Sequence, residues 1–205
     1  MSLVRPLLLW ITLSAPLLCL LAIVLLACGG TEHAVFAVMR ASRDAHPTLT
    51  TFLNGVSYWT NLLFYAWFAW LLLRALITGD RATRRFVLVY IAVQLLISLV
   101  TVRLLKMTIG RPRPGEDPFL HPFTTKPSYH SMPSGHTTEA TTSTLSLSQR
   151  HGSMKGSFLL GIILALLGFS RIYLGWHHPS DVLCGWLLGS VAGVAVSLFA
   201  PKEHA

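Results

Sequence analysis

Hydrophobic residues in this chain gather into long unbroken blocks. Four stretches carry no charge and meet or approach the roughly 20 residues that a helix needs to cross the hydrocarbon of a bilayer: 6–31, 55–73, 86–102 and 182–200. A fifth, 156–170, is shorter and continues through Ile172 to Trp176 past a single arginine. Between the third and the fifth lies a proline-rich polar stretch, 106–133, and then a segment that hydropathy alone would reject, 134–148, with His136, Glu139 and a run of threonines. Pro133 followed by Ser134 is nevertheless a reasonable helix start, and Gln149-Arg150-His151-Gly152 a plausible basic stop. The pattern predicts helices only, with no internal repeat or second domain.

Composition agrees. Charged residues make up 12% of the 205, against about a quarter in a typical soluble domain, and the mean hydropathy is +0.58. The net charge of +8 does not point to nucleic acid, since no basic helix or aromatic stacking platform accompanies it. Cys19, Cys28 and Cys184 lie in hydrophobic spans without metal-ligand spacing and read as packing residues. The apolar run from Leu7 to Cys28 exceeds the core of a cleaved signal, so it reads as an uncleaved first span.

Loop charge orients the chain. Arg5 and the cluster Arg81, Arg84 and Arg85 should share the cytoplasmic face, with two crossings between them. Residues 32–54 then lie outside, either as an amphipathic interfacial helix or as a solvated loop. If 134–148 does not cross, the basic loop 150–155 falls outside, against the charge bias; if it crosses, that loop is cytoplasmic. Crossing is favoured. The expectation is an all-α bundle of six transmembrane helices with both termini, Lys202 included, in the cytoplasm. Its polar fourth span should lie in the bundle interior, because hydroxyls and a carboxylate facing lipid are costly.

In this layout three polar groups meet at the outer end of the bundle, where positive charge is disfavoured. They are Lys106 to Pro114, Pro133-Ser134-Gly135-His136, and Ser170 to Asp181. Together they supply fixed cations able to hold a phosphate, two imidazoles and a carboxylate. Ser134 and Gly135 stand at a helix start, a natural anion site. Asp181 follows His177 by four residues, so both occupy one helical face, and a carboxylate there can fix the imidazole tautomer. No cluster of carboxylates suits magnesium and no Cys/His set suits zinc.

These spacings resemble the three-part signature of the type-2 phosphatidic acid phosphatase superfamily: KxxxxxxRP, PSGH and SRxxxxxHxxxD. Lys106, Arg113 and Pro114 fit the first, Pro133 to His136 the second, and Ser170, Arg171, His177 and Asp181 the third. The resemblance implies one membrane-embedded phosphatase domain over 1–205, with its site formed by 106–114, 133–136 and 170–181. It implies that Lys106, Arg113 and Arg171 grip the phosphoryl oxygens with Ser134 and the Gly135 backbone, and that His177 attacks phosphorus. His136 would then protonate the leaving oxygen, and Asp181 would orient His177. It implies no metal or other cofactor. The expected partners are the bilayer and a phosphorylated lipid: a polyprenyl pyrophosphate, phosphatidylglycerol phosphate, phosphatidic acid or lipid A. No nucleic acid or protein partner is expected. Members with short chains of this type are commonly bacterial, which places the protein in an inner membrane with its site facing the periplasm or exterior.

Several residues stay open at this level. Arg111 lies outside the defining positions. His178 competes with His177, and the spacing selects His177. Glu139 reads as an interhelical hydrogen-bond partner, His121, Lys126 and His130 as solvated loop residues, and the aromatic run from Trp59 to Trp70 as lipid-facing or interfacial packing. A lipid phosphotransferase would use the same phosphohistidine, and a non-catalytic binding or transport protein could keep the same anion site.

Overall fold

The computed structural model describes residues 4–200; Lys202 lies outside them. The described residues contain helices and no strand: α1 Val4–Ala27, α2 Glu32–Ala45, α3 Pro47–Thr78, α4 Arg81–Leu95, α5 Val102–Ile109, α6 Gly135–His151, α7 Met154–Tyr173 and α8 Pro179–Phe199. A π-helical segment, Leu96–Thr101, joins α4 to α5, so these form one continuous rod, Arg81–Ile109. Among the described residues five helices are long and apolar enough to cross a membrane: α1, α3, the α4–α5 rod, α7 and α8. α6 is not among them.

The polar helix α6 is instead the axis of the bundle. It packs most extensively on α8, and also touches α7, α1, α3 and α4. Thr137, Thr138 and the whole run from Ala140 to Ser148 are buried. Their hydroxyls satisfy themselves locally. Thr138 Oγ1 donates to the Ser134 carbonyl (3.0 Å), Thr141 to Thr137 (2.7 Å), Thr142 to Thr138 (2.9 Å), Thr144 to Ala140 (2.8 Å) and Ser146 to Thr142 (2.7 Å). A side chain that bonds the carbonyl one turn back carries little unmet polarity into the interior, and its small volume lets neighbouring helices approach.

α8 uses that approach. Gly185, Gly189 and Gly193 recur every fourth residue, and a Cβ at Gly189 would lie 2.5 Å from the Thr138 carbonyl oxygen. At Gly185 it would lie 2.6 Å from the Ser134 carbonyl oxygen, and at Gly193 2.8 Å from Leu145 Cβ. The second close pair is α1 on α7, where a Cβ at Gly161 would lie 2.3 Å from the Leu13 carbonyl oxygen.

Several helix bounds differ from the hydrophobic blocks. α3 starts at Pro47, a helix-compatible first residue, ahead of the apolar block at 55, and Leu53 from that added stretch is buried. α2 is the amphipathic helix. Thr31 caps it by accepting from Ala34 N (3.2 Å), and Val35 and Met39 join the core cluster beside Leu21 and Val24 of α1. The aromatic run on α3 divides. Trp59, Trp67 and Trp70 face outward, Tyr65 turns its hydroxyl to Gln94 of α4 (3.3 Å), and Phe64 and Phe68 are buried. Cys19 is exposed along α1, and all three cysteines are free thiols.

Three contacts fix which ends lie together. Arg5 donates to the Gly152 carbonyl (2.9 Å), Arg85 to the Phe199 carbonyl (3.0 Å), and the Arg150 guanidinium lies over the Phe86 ring. The starts of α1 and α4, the α6–α7 junction and the end of α8 therefore share one end of the bundle. α6 runs the length from the other end.

Candidate active site

At that other end, three chain segments are held by their own backbones. α5 stops at Gly110 (φ 60°), where a Cβ would sit 1.7 Å from the His121 carbonyl oxygen, so only glycine fits. Beyond it, the Arg111 carbonyl accepts from Ser131 N (3.1 Å), and Arg113 N donates to Ser128 (2.9 Å). α7 ends in a turn in which Trp176 N and His177 N both donate to the Arg171 carbonyl, at 3.1 and 3.2 Å. α8 opens with Pro179 in its first turn, and the Asp181 carboxylate accepts from His178 N (2.8 Å), closing a capping box. Ser134 N donates to the Asp181 backbone carbonyl (2.9 Å), which ties the start of α6 to the start of α8.

Between these segments and α3 lies a cavity of about 290 Å³, lined by Asn54, Ser57, Tyr58, Arg113, His136, Arg171 and Trp176. Two arginines flank the Trp176 ring, with Arg113 Cζ 4.9 Å and Arg171 Cζ 5.7 Å from its centroid. Arg171 is 9% exposed and donates to Ser57 Oγ (2.6 Å). The Nε of each arginine is buried without a hydrogen-bond partner among the described residues. Lys106, near the end of α5, lies close enough to both for their like charges to repel, with Asp181 and Glu139 in range as partial counterweights. Burial lowers the pKa of Arg113, with Asp181 and Glu116 working against that shift. Converging cations with unspent donors constitute an anion site.

His177 lies beside this cavity, not in its lining, and is only 2% exposed. Burial, together with the nearby Arg171 and Lys106 charges, outweighs Asp181 and lowers the His177 pKa to about 4, leaving a neutral imidazole at pH 7. Its Nδ1 is 3.7 Å from Asp181 Oδ2, an ionic approach longer than a hydrogen bond. The Asp181 carboxylate is fully buried and spends its oxygens elsewhere. Oδ1 accepts from Arg111 (2.6 Å), and Oδ2 from Ser131 Oγ (2.5 Å) as well as His178 N. His178 is turned away toward Glu32, with Nδ1 3.9 Å from Oε2.

Known proteins that resemble this chain bear on the arrangement. The profile of the PAP2 superfamily matches residues 85–205, which take in all three segments. An undecaprenyl-diphosphatase of Sulfolobus acidocaldarius is 31% identical over 185 residues, 88% of this chain and 85% of that one. The chain belongs to the PAP2 superfamily. Other relatives are a decaprenylphosphoryl-5-phosphoribose phosphatase of Mycobacterium tuberculosis and the phosphatidylglycerophosphatase B of Bacillus subtilis. The first is 36% identical over 45% of this chain and 50% of its own. The second is 34% identical over 49% and 51%. No solved structure matches. As a PAP2 member the protein is a phosphatase of the lipid-related kind, and its helices mark it as a membrane protein.

The residues that carry the PAP2 signature are brought together unevenly. Arg113, His136 and Arg171 share the cavity, and Lys106 stands near them. Ser134 is fully buried, its N–H is spent on Asp181, and its hydroxyl pairs with Thr137 Oγ1 (2.9 Å). Gly135 opens α6 beside Val102. Glu139 accepts from Asn61 Nδ2 (3.0 Å), which also donates to the His136 carbonyl (3.2 Å), as an interhelical hydrogen bond requires. Among the described residues no group of three or more His, Cys, Asp or Glu side chains is placed to hold a metal ion. Sequence reading missed Asn54, Ser57 and Tyr58 on α3, and Glu32 and Ser131 around Asp181. On α3, Asn54, Ser57, Tyr58 and Asn61 recur on one side of the helix, and that spacing was the available signal, diluted by Thr48, Thr50, Thr51 and Thr60 on the same element.

Proposed function

We propose that this protein is a lipid phosphatase that cleaves a phosphomonoester or diphosphate of a membrane lipid through a phosphohistidine on His177, without a metal. The observation that carries it is the pair of buried, unpartnered guanidinium Nε–H groups of Arg113 and Arg171 at a cavity that also holds His136. Phosphoryl transfer needs in-line positioning and stabilisation of charge on the equatorial oxygens above all else. Arg113, Arg171 and Lys106 supply that charge, with the Gly135 backbone at the start of α6 adding N–H donors and the dipole. Ser134, turned inward, holds this helix start against Asp181.

In the first step the neutral His177 attacks phosphorus through Nε2, and the bond to the lipid oxygen breaks as His136, protonated once the substrate's negative charge balances Arg113, Arg171 and Lys106, delivers that proton to it. Asp181 faces Nδ1 and stabilises the charge that the imidazole gains. Its 3.7 Å separation shortens in the loaded site, as catalytic hydrogen bonds often do. In the second step water, deprotonated by His136, attacks the phosphohistidine and releases inorganic phosphate.

One domain spans 1–205, with its site formed by 106–114, 133–136 and 170–181. It crosses the membrane six times, α6 being the fourth crossing although its composition is polar. The burial of α6 and its run from the site end to the end bearing Arg5, Arg85 and Arg150 support this. Both termini then lie in the cytoplasm and the site faces the periplasm or exterior of an inner membrane. A Thr125→Cys variant should accordingly react with an impermeant thiol reagent in intact cells; reaction only after permeabilisation would reverse the orientation.

A polyprenyl diphosphate is the first substrate to test, because the relative matched along 88% of the chain is an undecaprenyl-diphosphatase. Phosphate release by purified protein in EDTA should be measured on undecaprenyl diphosphate, phosphatidylglycerol phosphate, phosphatidic acid and lipid A. Release should survive chelation and vanish in His177→Ala. Activity persisting in that variant would mean a different nucleophile.

A further inference from the structure

The geometry points to Arg111 and Glu32 as positioning residues that set the carboxylate of Asp181 and, through it, the basicity of His177. This rests on the reading of His177 and Asp181 as the catalytic pair. Arg111 is an arginine of the same segment as Arg113, yet its fate is opposite. One terminal nitrogen donates to Asp181 Oδ1 and Ser180 Oγ, both at 2.6 Å, and the other to Glu32 Oε2, also at 2.6 Å. Glu32 Oε1 completes the ring by accepting from Ser180 N (2.8 Å). Arg111 does not line the cavity, and both its terminal nitrogens are engaged elsewhere. It faces the carboxylate, not the cavity.

Charge explains why a second acid belongs there. A buried Asp181 paired only with Arg111 would form a neutral couple, and His177 would feel little net field from it. Glu32 adds a second negative charge on the far side of the guanidinium, so the group Glu32–Arg111–Asp181 carries a net charge of minus one. Burial works against the Glu32 charge, but hydrogen bonds from Ser180 and the Arg111 guanidinium override it, and its pKa is lowered. Position matters equally. With Oδ1 held by Arg111, and Oδ2 by Ser131 and His178 N, the carboxylate has no freedom to rotate, and Oδ2 is the oxygen presented to His177 Nδ1. Glu32 stands in the first turn of α2, so the helix that lies across the site end of the bundle reaches the nucleophile through one arginine.

The test is a set of cycles on phosphate release from radiolabelled undecaprenyl diphosphate in detergent micelles. Arg111→Gln should lower kcat about tenfold to a hundredfold, the usual scale for loss of an outer partner, with KM changed less than about twofold. Glu32→Gln should lower kcat in the same manner but by less. In an Asp181→Asn background neither change should cost more than about twofold further, because both act through that carboxylate. A raised KM with kcat retained would make Arg111 a substrate ligand and overturn the proposal, as would losses that multiply with Asp181→Asn. Should Arg111→Gln fail to fold, the Glu32→Gln cycle decides alone. Wild-type protein that releases no phosphate would count against the proposed function; a wild type that works with variants that break this pattern would count against this inference only.

Discussion

The two ends of the bundle spend the same side chain in opposite ways. At one end Arg5 and Arg85 donate to Gly152 and Phe199, carbonyls at the C-terminal ends of α6 and α8, where a cation also meets the negative end of the dipole. At the other end Arg113 and Arg171 lie over one tryptophan with buried Nε–H groups unpaired, and Lys106 beside them. The division is not absolute, since Arg150 at the first end also has an unpaired terminal nitrogen. There, however, the guanidinium lies over a phenylalanine ring, and Arg5 and Arg85 at the same end are spent on backbone carbonyls. A basic residue at a helix end says little by itself. What separates anchoring from ligand binding is the hydrogen-bonding capacity left over.

Removing an arginine from each end tests this directly, and the site end should respond far more. On the proposed mechanism Arg171→Ala deletes a donor set for the developing charge, and a loss of about a hundredfold to a thousandfold in kcat is expected. Arg171→Lys keeps the charge but not the fork that spans Ser57 and the cavity. It should recover only part of the activity in the same phosphate-release assay. Full activity in Arg171→Lys would show that charge alone suffices and that the guanidinium geometry is incidental.

The next effect is on stability, through His177. Its pKa is about 4 in the folded protein because burial opposes its charge, against the ordinary 6.5. Between those values the unfolded chain binds a proton that the folded protein does not, so stability is lost as pH falls through that window and is unaffected above it. The full shift corresponds to about 3 kcal/mol. Unfolding in detergent at pH 7 and pH 4.5 should show most of this loss in wild type and a smaller one in His177→Gln. Equal pH slopes in the two proteins would mean that His177 is not buried as a neutral group.

Much of this contrast was legible beforehand, for reasons that differ by residue. Lys106, Arg113, His136, Arg171, His177 and Asp181 stood out because polar groups at membrane ends are few, and three clusters at one end call for a shared purpose. The interior place of α6 followed from the cost of turning hydroxyls to lipid. The partner contributed by α2 was not legible, and that from α3 showed only as a polar spacing whose purpose the sequence does not state. Ser57 and Glu32 are ordinary residues for a helix, and only tertiary packing brings them to Arg171 and Arg111. Nor does spacing reveal that Ser134 is turned inward, because a helix N-cap can look toward a ligand or toward its own bundle.

The stripe of glycines on α8 bears on the same contrast in another way, because it holds the polar axis in place between the two ends. Gly189→Leu would push a branched side chain into the Thr138 carbonyl and Thr141 Cβ, the latter 2.6 Å from where the first added carbon would sit. Both obstacles lie on the α6 helix itself and cannot swing aside. Overpacking of this kind costs about 1–3 kcal/mol, to be read as earlier thermal unfolding in detergent. Unchanged unfolding would mean that α6 and α8 are less closely packed than the glycine stripe implies.

The smallest effect should come from the far end. Arg85→Ala removes one exposed donor to the Phe199 carbonyl and a favourable charge at the α8 C-terminus, together worth about 0.3–1 kcal/mol. The carbonyl it leaves can bond water at the membrane surface, so no buried acceptor is stranded. Activity should stay within about twofold of wild type, because the proposed phosphoryl site lies at the other end of α8, roughly 1.5 Å per residue away along 21 residues. A large loss of kcat with unfolding unchanged would show that the two ends communicate along α8, and would undo the separation between anchoring and binding arginines on which the contrast rests.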